Sequence, residues 1–224
     1  RVTSRIAGLG VAPFIMQSTE SLVNISFNSS LLKYGGNVYV GAMTICSSIM
    51  QVLSMIFQGM AQGAQPIVGY NYGAGKLDRV RKAFRLLITA GVIYSITGWL
   101  LVQLFPHAFV ALFNDKPELV EAAVWALRIY LACFFMLGVQ FSCQQTFVAL
   151  GQAKVSLFLA LLRKIILLIP LIYILPHIIT GDQVFAVYLA EPVADALAAT
   201  TTGLMFAWKF PRILRRREQE LGMA

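Results

Sequence analysis

Six long apolar segments constrain the fold of this chain more than any other feature of its sequence. Their approximate bounds are 7–32, 38–70, 83–105, 117–150, 155–176 and 183–208. A helix that crosses the hydrocarbon core of a bilayer needs about 20 predominantly apolar residues, and each segment reaches that length. Of the 224 residues, 58% are hydrophobic and only 12% are charged. The sequence therefore predicts an all-α, polytopic membrane protein built as a bundle of six transmembrane helices.

The basic residues lie mainly at one end of the predicted bundle, although the net charge of +8 alone would also suit a nucleic-acid-binding protein. If the chain starts in the cytoplasm, 13 of the 18 Lys and Arg residues lie on that side: Arg1, Arg5, Lys76, Arg79, Arg81, Lys82, Arg85, Lys154, Lys209, Arg212, Arg215, Arg216 and Arg217. Such an excess is typical of cytoplasmic loops. We therefore expect both chain ends in the cytoplasm, residues 209–224 as a basic cytoplasmic tail, and no nucleic acid as partner. Segment 76–85 is compatible with a short helix on the membrane surface and equally with a solvated linker.

The stretch Gln58 to Lys76, QGMAQGAQPIVGYNYGAGK, places small and polar residues at the end of a long apolar helix. In a bilayer, Gly69 lets helix backbones approach closely, Gln62 and Gln65 can hydrogen-bond between helices, and Pro66 loosens the backbone where neighbours can satisfy it. We expect these four residues to serve helix packing and the exit of the helix from the membrane.

This stretch, the basic residues after it and the order of the helices resemble the C-terminal half of a bacterial multidrug and toxic compound extrusion (MATE) transporter. The resemblance implies that residues 1–224 form one six-helix lobe of a twelve-helix transporter, and a chain that begins at Arg1 without an initiator Met is expected to be a fragment of it. It further implies a secondary active antiporter in the bacterial inner membrane that exports lipophilic, cationic drugs or toxins in exchange for protons or sodium. The implied partners are the N-terminal six-helix half, membrane lipid and the cationic substrates. Apart from the transported ion, no cofactor and no metal are implied.

Glu20 lies near the middle of the first span and belongs to a polar stripe on one helix face. The other members, at helical spacings of three and four, are Gln17, Ser21, Asn24 and Asn28. An ionised carboxylate at bilayer depth costs about 2.5–3.5 kcal/mol on insertion scales, so this face is expected to line a wet cavity. Some MATE members bind sodium or a proton through an acid on this helix, which makes Glu20, with Asn24, the first candidate for ion coupling. A structural acid bonded to neighbouring helices is the alternative.

Glu191 and Asp195 lie one helical turn apart in the last span, close to Pro192. Two carboxylates at this spacing repel each other unless a base lies close or one of them is protonated. The candidate charge partners within spans are Arg128, which matches Glu191 in depth, and Arg163 and Lys164, which come within about a turn of Asp195. The two acids form either a structural ion-pair cluster or a second coupling site.

Gln140 falls about where some sodium-coupled MATE members carry an acid. A neutral amide coordinates sodium more weakly than a carboxylate does. Gln140 therefore argues against a full sodium site and favours proton coupling through Glu20 or through an acid in the other half.

Two other functions remain as alternatives. A flippase of lipid-linked precursors has a related architecture and is expected to show several cationic residues facing a central cavity. An intramembrane enzyme could use Glu20, Glu191 or Asp195 as acid and base, but the sequence has no HExxH motif, and no Ser or Cys has an activating His within a span.

Overall fold

The computed structural model describes the backbone of residues 2–222 and the side chains of residues 18–222. Within these limits the chain forms nine α-helices and one π-helical segment, with no strand. The helices are α1 (Val2–Gly35), α2 (Asn37–Gly73), α3 (Leu77–Leu104), α4 (Pro106–Ala111), α5 (Pro117–Tyr130), α6 (Phe134–Ala149), α7 (Ala153–Leu161), α8 (Ile169–Ile178) and α9 (Gln183–Glu220), and the π segment is Leu162–Leu168. The predicted all-α class is confirmed.

Turn residues visible in the sequence set several helix ends. Gly36, Gly75 and Gly151 have φ angles of +76°, +72° and +74°, a left-handed conformation that glycine adopts without steric cost. At the start of α9, the Asp182 carboxylate accepts a hydrogen bond of 2.9 Å from the backbone N–H of Phe185. This cap satisfies one of the free N–H groups that every helix start exposes.

Four stretches of the described residues are long and apolar enough to cross a bilayer: α2, α3, the continuous run Ala153–Ile178 and α9. The chain bends by 52° between α5 and α6, which together make a fifth candidate. They occupy the predicted span 117–150, which is longer than the about 20 residues that a straight helix needs to cross the hydrocarbon core, and the chain bends within it. The first predicted span, 7–32, falls within α1, part of which lies outside the described side chains.

Segment 76–85 is neither a separate surface helix nor a linker, so both readings of it are wrong. Helix α3 begins at Leu77 and continues unbroken to Leu104, because the chain has no glycine or proline after Gly75 that would separate the basic residues from the apolar ones.

The helix that carries the last predicted span, 183–208, continues beyond residue 208. Helix α9 continues through Pro211 to Glu220, so the basic tail is largely an extension of the helix. The extension packs on the start of α3, where Arg81 pairs with Glu218 at 2.8 Å. Its Arg217 also donates a hydrogen bond of 3.1 Å to the carbonyl of Gly73.

Candidate functional site

An open cavity of about 470 Å³ lies between α1, α2, α6, α7 and the π segment. Its lining residues are Thr19, Glu20, Gln58, Ala61, Gln62, Gln65, Gln140, Phe141, Gln144, Gln145, Ala160, Leu161, Arg163 and Lys164. Most of these side chains are polar or charged, although every helix that carries them is largely apolar. The cavity therefore collects polar groups that could not face lipid.

Helix α2 contributes three exposed glutamines to this wall, Gln58, Gln62 and Gln65. In this lobe Gln62 and Gln65 are exposed and line the open cavity, so their expected role in helix packing stays a prediction. Gly69 does lie at a helix contact, where a Cβ atom would come 3.4 Å from the carbonyl oxygen of Ala149.

Helix α6 contributes Gln140, Gln144 and Gln145 to the opposite wall. Gln140 is only 2% exposed, and its Oε1 accepts no hydrogen bond from any described residue. Nε2 of Gln144 donates to the carbonyl of Ser156 at 3.3 Å. The amide at position 140 thus reaches the cavity with an unused acceptor.

The π segment sends two adjacent basic side chains to different partners. The Arg163 guanidinium lies 2.6 Å from Oδ1 of Asp195 and 3.0 Å from Oε1 of Glu191, both on α9. The Lys164 ammonium forms an ion pair with Glu20 on α1. Short π-helical stretches inside α-helices are frequent at functional sites. Here the segment places one charge toward the bundle interior and the next toward the cavity rim.

The ion-pair cluster has more carboxylates than cations. Glu191 and Asp195 are buried, at 5% and 2% exposure, and they share the single guanidinium of Arg163. Oε2 of Glu191 has no hydrogen-bond partner in the described part of the chain. Together with the neighbouring Lys164–Glu20 pair, the two cations face three carboxylates. If all five groups are ionised, one negative charge is left uncompensated. A buried charge of this kind is costly, so the cluster is suited to bind a proton or another cation.

Arg128 does not join this cluster. Its side chain is exposed and forms no ion pair with a described residue, while its backbone carbonyl accepts a hydrogen bond from Gln103 at 2.9 Å. Counting residues from the membrane surface gave Arg128 the depth of Glu191, but depth does not specify the direction of a side chain around the helix. The neighbouring Ala126 and Leu127 take the buried positions instead.

The polar stripe on α1 is exposed along its described length. Glu20, Ser21, Asn24 and Asn28 are all exposed. Of these four, Glu20 lines the cavity and the other three do not. The side chain of Gln17 lies outside the described residues. The structure therefore brings Glu20 and Gln140 to one cavity but leaves Asn24 outside its lining.

Sequence reasoning missed the π segment and three of the cavity glutamines, Gln58, Gln144 and Gln145. A signal for the glutamines exists, because Gln58, Gln62 and Gln65 recur at spacings of four and three on a helix, as Gln140 and Gln144 do at four. In the part of the chain that the structure describes, no group of three His, Cys, Asp or Glu residues is placed to hold a metal ion.

Comparison with known proteins places this geometry in a family. The family model MatE matches residues 13–174. Multidrug export protein MepA of Staphylococcus aureus (strain N315) is 28% identical over 200 residues, which are 88% of this chain and 43% of that protein. MepA of Staphylococcus haemolyticus is 23% identical over 192 residues, or 85% of this chain and 42% of that protein. The chain thus spans less than half the length of the curated relatives it matches.

Solved structures show the same likeness. The MATE multidrug transporter DinF-BH, solved in complex with rhodamine 6G, is 36% identical with a TM-score of 0.76, covering 92% of this chain and 45% of that one. A MOP superfamily transporter from Pyrococcus furiosus has a TM-score of 0.83 at 19% identity, covering 91% of this chain and 46% of that one, and shows the fold alone. Transporters of this kind are multi-pass membrane proteins and not enzymes, which excludes the intramembrane enzyme. With a family match over most of its length, the chain belongs to the MatE family.

Proposed function

We propose that this chain forms one half of a secondary active antiporter that exports lipophilic organic cations in exchange for protons or sodium. The N-terminal six-helix half would cover the open cavity and the exposed polar stripe of α1. The proposal is supported by the length of the chain relative to MepA and by the binding of rhodamine 6G to the similar transporter DinF-BH.

The observation that carries the proposal is the open cavity between largely apolar helices, with the Glu20–Lys164 ion pair in its wall. A proton on Glu20 would release Lys164, whereas a cationic substrate would attract the ionised carboxylate. Because proton and substrate favour different states of the same group, each biases the conformational equilibrium by its differential affinity. Competition of this kind yields exchange.

Protons are favoured over sodium as the coupling ion. The buried cavity residue at position 140 is an amide, and among the described lining residues only Glu20 offers sodium a carboxylate oxygen. The uncompensated charge beside Arg163 offers a second place for a proton, so Glu191 and Asp195 remain the second candidate coupling site.

The basic residues near the start of α3 and the end of α9 support an orientation with this side in the cytoplasm of a bacterial cell. Arg79, Lys82, Arg85 and Arg212 lie within the first turns of α3 or the last turns of α9. The excess of Lys and Arg at this end matches the positive-inside rule for the bacterial inner membrane.

The flippase of lipid-linked precursors is less well supported. It would require several free cationic residues in the cavity to bind a phosphorylated lipid. Among the described lining residues, Arg163 and Lys164 are the only Lys or Arg side chains, and both are already paired with carboxylates.

The proposal is tested by efflux of rhodamine 6G from energised cells that express the intact transporter containing this chain. Glu20→Gln keeps the size of the side chain and removes its titration, so we expect efflux to fall at least about tenfold, toward the level of cells without the transporter, at unchanged expression. Asp115→Asn, which removes an acid from the α4–α5 loop, is the matched control and should transport normally.

The other outcomes are equally informative. Unchanged efflux in Glu20→Gln would move coupling to Glu191 and Asp195 or to the other half. Absence of efflux in the wild type would contradict drug export and favour the flippase.

A further inference from the structure

We propose that the cavity glutamines form a subsite that selects, among organic cations, those that carry hydrogen-bonding groups. The inference rests on the proposed export function and specifies the substrate class of the same cavity. Six of its 14 lining residues are glutamines, namely Gln58, Gln62, Gln65, Gln140, Gln144 and Gln145.

The amides come from two helix faces that meet at the cavity. On α2 they recur at spacings of four and three, and on α6 Gln140 and Gln144 are four residues apart. Residues at these spacings project from one face of a helix. Two rows of amides on α2 and α6 therefore border the same space, with Glu20 and Lys164 on its third side.

Most of these amides have no hydrogen-bond partner among the described residues. Gln144 alone among the six donates a side-chain hydrogen bond to another described residue. Gln140 is only 2% exposed, yet its Oε1 is unpaired. A buried polar group without a partner costs about 1–3 kcal/mol, so a ligand or water must supply the missing donor. Gln140 thus points to an occupant of the cavity.

One aromatic side chain lines the cavity beside the amides and limits the shape of that occupant. Phe141 lines the cavity next to Gln140 and stacks on Phe57 with a centroid distance of 4.9 Å and an interplanar angle of 7°. The stacked pair offers a supported flat surface for an aromatic ring or for a cation above the ring face.

The chemistry of the wall defines the ligand. A glutamine amide has two N–H donors and one carbonyl acceptor, so it can bind an amine N–H, a ring nitrogen or a carbonyl at the edge of a planar ring system. A cation made only of hydrocarbon groups would leave these amides unpaired. Sites built to hydrogen-bond a substrate discriminate strongly against analogues that lack the matching groups. The expected substrates are planar aromatic cations with N–H or C=O groups on their edges.

The test compares two cations in cells that express the intact transporter. Ethidium is planar and carries two aromatic amines, whereas tetraphenylphosphonium has no hydrogen-bonding group. We expect Gln140→Met and Gln62→Met each to lower the transport efficiency for ethidium by about 2- to 12-fold, the loss of one net hydrogen bond. Transport of tetraphenylphosphonium should change less than about twofold.

Two features keep the result interpretable. Gln62 is exposed, so its replacement leaves folding intact even if the buried Gln140→Met variant does not accumulate. Gln51, which is also exposed on α2 but does not line the cavity, gives the control Gln51→Met, for which both cations should be exported normally.

Equal losses for the two cations, or no loss for either, would overturn the amide subsite while leaving export established. Export of neither cation by the wild type would overturn the proposed function and the subsite with it.

Discussion

Arg163 compensates the charge of the buried acids in the interior of this lobe. Its guanidinium is the one cation in direct contact with both Glu191 and Asp195, at 3.0 and 2.6 Å, in the described part of the chain. A planar guanidinium can serve two carboxylates at once, which an ammonium does less well. Removal of either acid leaves a compensated pair, whereas removal of Arg163 leaves two facing carboxylates without compensation.

We therefore predict that two substitutions in this cluster change the stability of the folded state differently. Arg163→Met should destabilise the folded state by about 3–5 kcal/mol, the usual cost of removing one partner from a buried ion pair. Glu191→Gln should be neutral or stabilising, because it removes the uncompensated charge and keeps the Arg163–Asp195 pair. Thermal unfolding of the purified intact transporter in detergent measures both. Equal destabilisation by the two variants would mean that the Glu191 charge is required in the fold.

At the scale of single residues, the sequence predicted that Glu191 and Asp195 pair with a base, but it did not identify every base correctly. Buried acids must find bases, and that rule was enough to expect a base beside Glu191 and Asp195. Arg128 was the wrong candidate because residue counting yields depth and not rotation about the helix axis. The sequence did not place Gln62 and Gln65 at the cavity, because helix packing and cavity lining in a bilayer draw on the same polar residues.

Among the elements, α3 and α6 approach each other closely at Gly91 and Gly138. A Cβ atom at Gly91 would lie 2.7 Å from Oγ of Ser142 and 3.1 Å from the carbonyl oxygen of Gly138. Ser95 supports the contact by donating a hydrogen bond of 2.9 Å to the carbonyl of Phe135 on α6. Small residues and interhelical hydrogen bonds hold membrane helices together where no hydrophobic force between helices exists.

Gly138→Ala should accordingly separate these two helices. Its new methyl group would meet the backbone of Gly91, which cannot move without shifting α3, and we expect a loss of about 1–3 kcal/mol in stability. Gly63→Ala is the matched control, because a Cβ atom there meets nothing within 4 Å and alanine favours helix by about 0.5–1 kcal/mol. Melting temperatures of the two variants should move in opposite directions, and a fall in both would contradict close packing as the cause.

Apolar length and turn residues predicted the helices but not their irregularities. The break between α5 and α6, at Leu131 to Cys133, contains no proline or glycine, so no local signal marks it. The π segment adds a residue to a helical turn without changing the hydropathy of its surroundings. Conversely, Pro211 lies inside α9 without ending it. Such features depend on packing against neighbouring helices, which a single sequence does not show.

At the scale of the whole molecule, the chain exposes two chemically different surfaces. Helix α1 presents the exposed Asn24 and Asn28 beside Glu20, whereas α9 presents Leu204 at 69% exposure and Trp208 at 56%. A lipid bilayer tolerates the second surface and not the first. The proposed two-lobe arrangement accounts for the difference, since the polar face of α1 would line water between the lobes.

Cysteine labelling distinguishes these two surfaces in the intact transporter. The native Cys46, Cys133 and Cys143 are first replaced to give a background without thiols. Asn24→Cys should react with a membrane-impermeant maleimide, because only a thiol in water ionises and attacks the reagent. Leu204→Cys should stay unreactive although this side chain is also exposed in the isolated lobe, since lipid surrounds it. Reaction at both positions would place α9 in water and contradict the membrane-facing role of its outer surface, while silence at both would show that the stripe of α1 packs dry against the other lobe.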